Sequence, residues 1–322
     1  MKQIWKDIGF AVLLGVVMPW LILGIGAASI RSAAGQPAEH TEPSSAIQTR
    51  SVNVLQNGRV RGIELSEYLA GVLLCELPGD FTMEAKKAQA VVARTYTLRT
   101  VEKKDKHPGN AICTDPACCQ GYTAPEQYRA EGGSAEAVEQ ARQAVALTEG
   151  LVLMYGGEMI DATYFSCSGG HTEDAVAVWG ADVPYLQAVS SPGEEAAAHY
   201  TDSVTFTSAQ FQQALGVRLS GKPATWMGTV TRTEGGGVDT MVIGGTVYQG
   251  TTLRSLLGLR STAFTMTAAG DNITVTTKGF GHRVGMSQYG AQAMSLAGNS
   301  YEQILTHYYT GTELTCITLT AD

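Results

Sequence analysis

From Ile8 to Ile30 the chain carries no charged residue. At about 1.5 Å per helical residue, such a run can cross a bilayer core of about 30 Å. Pro19 and several glycines interrupt it, which membrane helices tolerate better than soluble ones. Lys2 and Lys6 precede the run and favour a cytoplasmic N-terminus, although Asp7 and Arg31 weaken that bias. The pattern predicts one transmembrane helix within residues 1–31, placing the protein in the cell membrane as a single-pass protein with its remainder extracytoplasmic. A signal peptide cleaved near Ala33-Ala34 is the alternative, but the run exceeds the usual apolar region of about 7–15 residues. Residues 32–50 have no periodic apolar face and read as a linker.

After residue 50 the pattern turns periodic. A strand near Val52 and a turn at Asn57-Gly58 precede a helix expected from Glu67 to Cys75, started by Ser66 and stopped before Pro78. Thr82 opens a helix over Met83–Val101, with Ala85, Ala88, Val92 and Tyr96 at helical spacing. Ser134 opens another, ending near Leu147. Gly156-Gly157 suggests a hairpin between Leu151–Tyr155 and Met159–Phe165, followed by a loop from Ser166 to Val183.

Residues 204–275 read as a β-rich inset, with strands at Met227–Thr233, Val238–Ile243 and Ile273–Thr277. Short helices after Ser208 and Thr251 end at Gly216 and Gly258. Gly279–Gly285 lead into a helix over Met286–Ala297, and Ser300 with Gln303 forms a capping box for the last helix. Strands and helices do not alternate regularly, so the expected fold class is α+β. It is a single catalytic domain over residues 51–322, with the inset inside it.

Composition narrows the function classes. Of 322 residues, 44% are hydrophobic and 16% charged, as in a globular protein. A net charge of -8 with no long basic run after the N-terminus argues against nucleic acid as a partner. Gly216–Lys222 imitates a phosphate-binding loop, but Pro223 occupies the hydroxyl position and a helix precedes it.

Glu76 lies among Leu73, Leu74, Cys75, Leu77 and Pro78. An apolar setting disfavours the carboxylate and lets the group stay protonated as a general acid. A solvated helix-end glutamate is the plain alternative. A glycan hydrolase would need a second carboxylate, for which Glu173, Asp174 and Asp182 are candidates, although structural roles suit them better. Arg94 could orient Glu76 or bind a sugar substituent. The flexible backbone of Ser168, Gly169 and Gly170 could approach a sugar, and His282 sits in a glycine-flanked loop. A Cys167 nucleophile paired with His171 or His282 is conceivable, but a lone Cys is more often a small buried hydrophobe, the reading also given to Cys316. His107, Cys113, Cys118 and Cys119 share one short loop and suit a closed, structural zinc site; a disulfide or free thiols compete with that reading.

Three ordered segments, Tyr68–Arg99, Tyr164–Gly180 and Gly279–Gly311, closely resemble the family of stage II sporulation protein D and the amidase enhancers. The resemblance covers nearly everything after residue 50. It implies a lytic transglycosylase that opens peptidoglycan glycan strands between N-acetylmuramic acid and N-acetylglucosamine, leaving a 1,6-anhydro end. It further implies strands free of stem peptides, and work beside a cell-wall amidase and other engulfment proteins during sporulation. Glu76 occupies the position of the family's catalytic acid. Arg94, Ser168, Gly169, Gly170, His282, Gln288 and Tyr289 fall on the substrate side. Some members bind zinc through two His and two Cys in the cysteine loop; here Cys118 stands where a second His is expected. A hydrolase with a second carboxylate and a non-catalytic, glycan-binding activator of an amidase remain as rival readings.

Overall fold

A computed structural model describes residues 51–104 and 106–318; the expected anchor (1–31) and linker (32–50) lie outside the described residues. Among the described residues, nine α-helices accompany five small sheets of two or three strands, so the fold is mixed, with no large continuous sheet.

β1 (Ser51–Gln56) and β2 (Arg59–Glu64) form a hairpin whose turn residues Asn57 and Gly58 both have positive φ, as a tight hairpin turn requires. β3 (Ile112–Cys113) joins β1 in parallel. β2 runs directly into α1 (Leu65–Glu76), which starts earlier than the Ser66 signal suggested. The Glu64 carboxylate, at the strand's end, accepts the Glu67 N–H at 3.0 Å and so takes the capping role.

Buried residues surround α1 on most sides, Tyr68, Leu69, Val72 and Leu73 among them, as befits a core helix. It packs with α2 (Met83–Lys103), capped by Thr82, and with α4 (Ala135–Leu147), capped by Ser134. α3 (Pro125–Ala130) lies between α2 and α4 in the chain.

β4 (Leu151–Tyr155) pairs with β5 (Glu158–Met159) and β14 (Glu313–Cys316). The expected second hairpin strand is therefore shorter than Met159–Phe165. Its end, β6 (Tyr164–Phe165), instead pairs in parallel with β13 (Met286–Ser287), because the backbone leaves the hairpin after Met159. β13 also takes the first two residues of the expected Met286–Ala297 helix, and α8 covers Gln288–Leu296. α5 (Ala175–Trp179) is a short helix in the segment expected to be a loop. α9 (Tyr301–Tyr308) carries the expected capping box.

Between these elements, β7 (Thr201–Thr207), β11 (Phe264–Ala269) and β12 (Asn272–Lys278) form one sheet. β8 (Met227–Arg232), β9 (Val238–Ile243) and β10 (Thr246–Gln249) form another. With α6 (Ser208–Leu215) and α7 (Gly250–Leu256) they enclose a separate apolar cluster that includes Phe211, Trp226, Leu253 and Phe264. Thr207, not Ser208, caps α6, and Gly216 ends it in a left-handed conformation.

Arg94 departs from its expected place on the substrate side. Its guanidinium is buried between α2 and the end of α4, donating to the carbonyls of Val145 (3.0 Å) and Leu151 (3.1 Å). It serves one carbonyl in the last turn of α4 and one at the start of the following strand, Leu151–Tyr155. Burial lowers its pKa to about 10, so it stays charged at neutral pH. Arg94→Met removes both of these buried charge-assisted hydrogen bonds and is expected to lower unfolding stability by about 2–4 kcal/mol. Urea denaturation of the purified variant checks this.

Candidate functional site

α1 ends at Glu76 because Leu77 turns extended ahead of Pro78, and its carboxyl opens on a cleft of about 770 Å³. Tyr164 and Phe165 of β6, Trp179 at the end of α5 and Gln288 at the start of α8 form part of its walls. Phe280 and His282 of the return loop and Arg254 of α7 also line it, as do Cys118 and Cys119 of the cysteine loop. Glu76 is the one carboxyl group lining this cleft among the described residues.

A close approach of backbone to helix positions the acid. Gly71 on α1 has no side chain, and a Cβ there would fall 2.4 Å from the Tyr122 ring. Tyr122 can therefore stack on Tyr68, with centroids 5.4 Å apart, and carry Gly121 to the helix end. The Gly121 N–H donates to Glu76 Oε1 at 2.7 Å, and Gln288 Nε2 stands 3.5 Å from Oε2. The Tyr164 hydroxyl donates to Gln120 Oε1 at 3.3 Å and, from the wall of the same cleft, also favours the Glu76 carboxylate. Burial raises the Glu76 pKa, and these three partners offset only part of the rise.

His282 lies against Phe165 and Trp179, at centroid distances of 5.6 and 5.2 Å. Burial, then the Arg254 charge, lower its pKa to about 4, so the ring is neutral at neutral pH and serves as wall. Trp179 and Phe280 are 47% and 39% exposed, enough to offer aromatic faces to a ligand.

Of the expected substrate-side residues, His282 and Gln288 line the cleft with Glu76. Ser168, Gly169 and Gly170 do not. The Ser168 and Gly169 N–H groups and the Ser168 hydroxyl point inward to the buried Glu194 carboxylate, at 2.6, 3.1 and 2.8 Å. The Gly170 N–H donates to Ser168 Oγ. Tyr289 also lies outside the lining, with its ring edge on Phe81. A buried anion claims the turn at Ser168–Gly169, and an apolar contact claims Tyr289, groups that the chain order alone leaves free.

Glu173 is fully buried in an ion pair with Arg283, while Asp174 and Asp182 line a separate hollow of about 430 Å³. Cys167 donates its thiol to Glu194 at 3.0 Å, and burial pushes its pKa well up, against a nucleophilic role. Cys316, expected in the core, is exposed at the β14 edge, where the sheet ends. Tyr164, Trp179, Phe280 and Arg254 escaped the sequence reading. The aromatic residues stand at the borders of two of the three segments that carry the family resemblance, and Phe280 sits between two glycines; Arg254 leaves no sequence signal.

The loop before Gly121 brings four donors together. The ligand atoms of His107, Cys113, Cys118 and Cys119 all lie within 4.8 Å of one another. His107 Nε2 is 3.5 Å from both the Cys118 and Cys119 sulfurs, which are 4.0 Å apart. Tetrahedral zinc with ordinary bond lengths requires N–S and S–S edges of about 3.6 and 3.8 Å. The His107, Cys118 and Cys119 spacings match those edges, and Cys113 lies close enough to be a fourth donor. The carbonyl of Asp115 holds the turn by accepting the Cys118 and Cys119 N–H groups, while all six cysteines are free thiols.

Comparison with known proteins supplies first the class: residues 56–155 match the profile of the stage II sporulation protein family. Stage II sporulation protein D of Bacillus subtilis (strain 168) is 40% identical over 80% of this chain and 76% of its own length. That of Bacillus amyloliquefaciens is 38% identical over 95% and 93%. The chain belongs to the stage II sporulation protein D family. The amidase enhancer of Bacillus subtilis (strain 168) is 29% identical over 77% of this chain, which spans 40% of that relative.

A carboxyl raised above its ordinary 4.5 binds its proton more tightly in the folded chain. Its stabilising contribution is complete below about 4.5 and is lost as pH rises through the raised value. Glu76→Gln should therefore be at least as stable as the wild type at pH 7, with any advantage shrinking toward pH 4. Urea midpoints measured across that range test the sign.

Proposed function

We propose that the protein is a membrane-anchored lytic transglycosylase acting outside the cytoplasm on peptidoglycan glycan strands, between N-acetylmuramic acid and N-acetylglucosamine. The observation that carries this reading is a single carboxyl, with a raised pKa, in a cleft walled by aromatic side chains. Protonated Glu76 gives its proton to the glycosidic oxygen as the C1–O bond breaks, and the bonding electrons leave with that oxygen. The resulting Glu76 carboxylate takes the proton of the same muramic acid's C6 hydroxyl, whose oxygen closes on C1. The products are a 1,6-anhydro end and a free 4-hydroxyl, without consumption of water. No second carboxylate is needed, which agrees with the buried or distant positions of Glu173, Asp174 and Asp182. The names of the relatives support a role in sporulation, beside a cell-wall amidase.

The mass spectra of digests of purified glycan strands test this. Full-length wild type should yield anhydro-ended saccharides, and Glu76→Gln should lose about 10²–10⁴-fold of the rate. Reducing ends in the products would instead mean a hydrolase. The similarity to an amidase enhancer favours a second reading, in which the cleft binds glycan and stimulates an amidase. That reading gains if the wild type cleaves nothing while Glu76→Gln still stimulates the amidase.

The cysteine loop is proposed to hold one structural zinc through His107, Cys113, Cys118 and Cys119. Its reach ends two residues before Gly121, so it would brace the N–H that holds Glu76. Stripping the metal should lower the melting temperature by about 5–10 °C, with recovery on adding zinc. Elemental analysis should find one zinc per chain before stripping.

A further inference from the structure

The cleft contains one charged side chain besides Glu76 that has no ionic partner. Arg254 stands on α7, within the inset, and its half-buried guanidinium lines the cavity near His282. Nε makes one long contact, 3.4 Å, with the Leu259 carbonyl. Burial lowers its pKa and no carboxylate offsets that effect. Four other arginines among the described residues form ion pairs with carboxylates. Arg283 binds Glu173 at 2.9 Å, Arg260 binds Asp202 at 3.1 Å, Arg142 binds Glu67 at 2.8 Å and Arg99 binds Glu158 at 3.2 Å. Arg94 is spent on carbonyls.

A half-buried guanidinium with its terminal nitrogens open to a cleft is a fork suited to a carboxylate or phosphate. On the glycan proposed above as substrate, the sugars themselves are neutral apart from one substituent, the lactyl carboxyl of muramic acid. That group is an anion when free and a neutral amide when a stem peptide is attached. We propose that Arg254 is a specificity-determining residue of the inset that binds the free lactyl carboxylate of the glycan in the Glu76 cleft. The inference rests on the lytic reading for its substrate, but not on cleavage for its test. It assigns the inset a part in recognition, since the acid and the cation come from separate apolar cores.

The experiment compares glycan strands bearing free lactyl carboxylates with the same strands after coupling to methylamine. Binding is measured to full-length Glu76→Gln, and cleavage to the wild type. Amidation should weaken binding about tenfold or more, the range for a hydrogen-bonded charge pair. Arg254→Gln, placed in the Glu76→Gln background, should bind both strands equally and weakly, and Arg254→Lys should keep part of the preference. In cleavage, Arg254→Gln should raise KM on the free-acid strands while kcat stays within about threefold. Equal binding of both strands by Glu76→Gln overturns the proposal without any Arg254 variant. A preference that persists in Arg254→Gln overturns it as well. If the wild type cleaves no glycan, the lytic reading fails, and the binding comparison still decides the role of Arg254.

Discussion

The walls of the cleft hang on the buried ion pair between Arg283 and Glu173. Arg283 holds a left-handed backbone, φ 67°, which costs a non-glycine residue about 1–2 kcal/mol. Its side chain explains why the conformation persists. Nε donates to the Ser168 carbonyl, Nη1 to Glu173, and Nη2 to the carbonyls of His171 and Gly235. Glu173 also accepts from Gly237 N–H and the Thr233 hydroxyl, both on the β8–β9 turn. Gly235 and Gly237 admit this contact because a Cβ at either would meet the Thr172 carbonyl or the Glu173 carboxylate within 2.2 Å. Breaking a buried pair by losing one partner costs about 3–5 kcal/mol, because the other charge remains buried. The pair thus joins the middle segment, the inset and the return loop at one point.

Glu194 completes that interior from the other side. Its carboxylate gathers the Ser168–Gly169 backbone and the Ser191 hydroxyl, and Ser191 passes the chain of hydrogen bonds to Tyr308 on α9. The glycine-rich turn is therefore used to solvate an internal anion, while the adjoining residues Tyr164, Phe165 and Ser166 are released to face the cleft. The β6–β13 pairing then sets Tyr164 beside the start of α8, which brings Gln288 to Glu76. Two buried anions thereby position the surroundings of the third carboxyl, which is left without a cation.

The features legible in the chain are those whose cause is local. Asn57-Gly58 declares its turn, Thr82 and Ser134 declare their helices, and Ser300 with Gln303 declares a capping box. Glu76 was legible through its apolar neighbours and the family resemblance, and the four metal-type donors through their closeness in one loop. What stayed hidden depends on distant partners. Arg94 looks like a site residue until the end of α4 and the start of β4 present their carbonyls, and the Ser168–Gly170 turn until Glu194 arrives. β6 could not be separated from the preceding hairpin because its partner lies more than a hundred residues away. Arg254 belongs to a short helix of the inset, and nothing adjacent to it in the chain predicts a shared cleft.

The distribution of charge in the cleft also follows from this assembly. The influences on Glu76 are burial and three neutral polar neighbours, and none of them is a cation. A guanidinium close to the carboxyl would favour its ionised form and undo the effect of burial. Arg254 instead acts on His282, whose ring it helps to keep neutral. The cleft thus accommodates a cation suited to an anionic substituent and an acid that retains its proton. That combination requires the two to come from different elements, with α1 carrying the acid and α7 the cation. The Arg283–Glu173 pair, by fastening the inset to the return loop, is what makes the separation a fixed property of the fold.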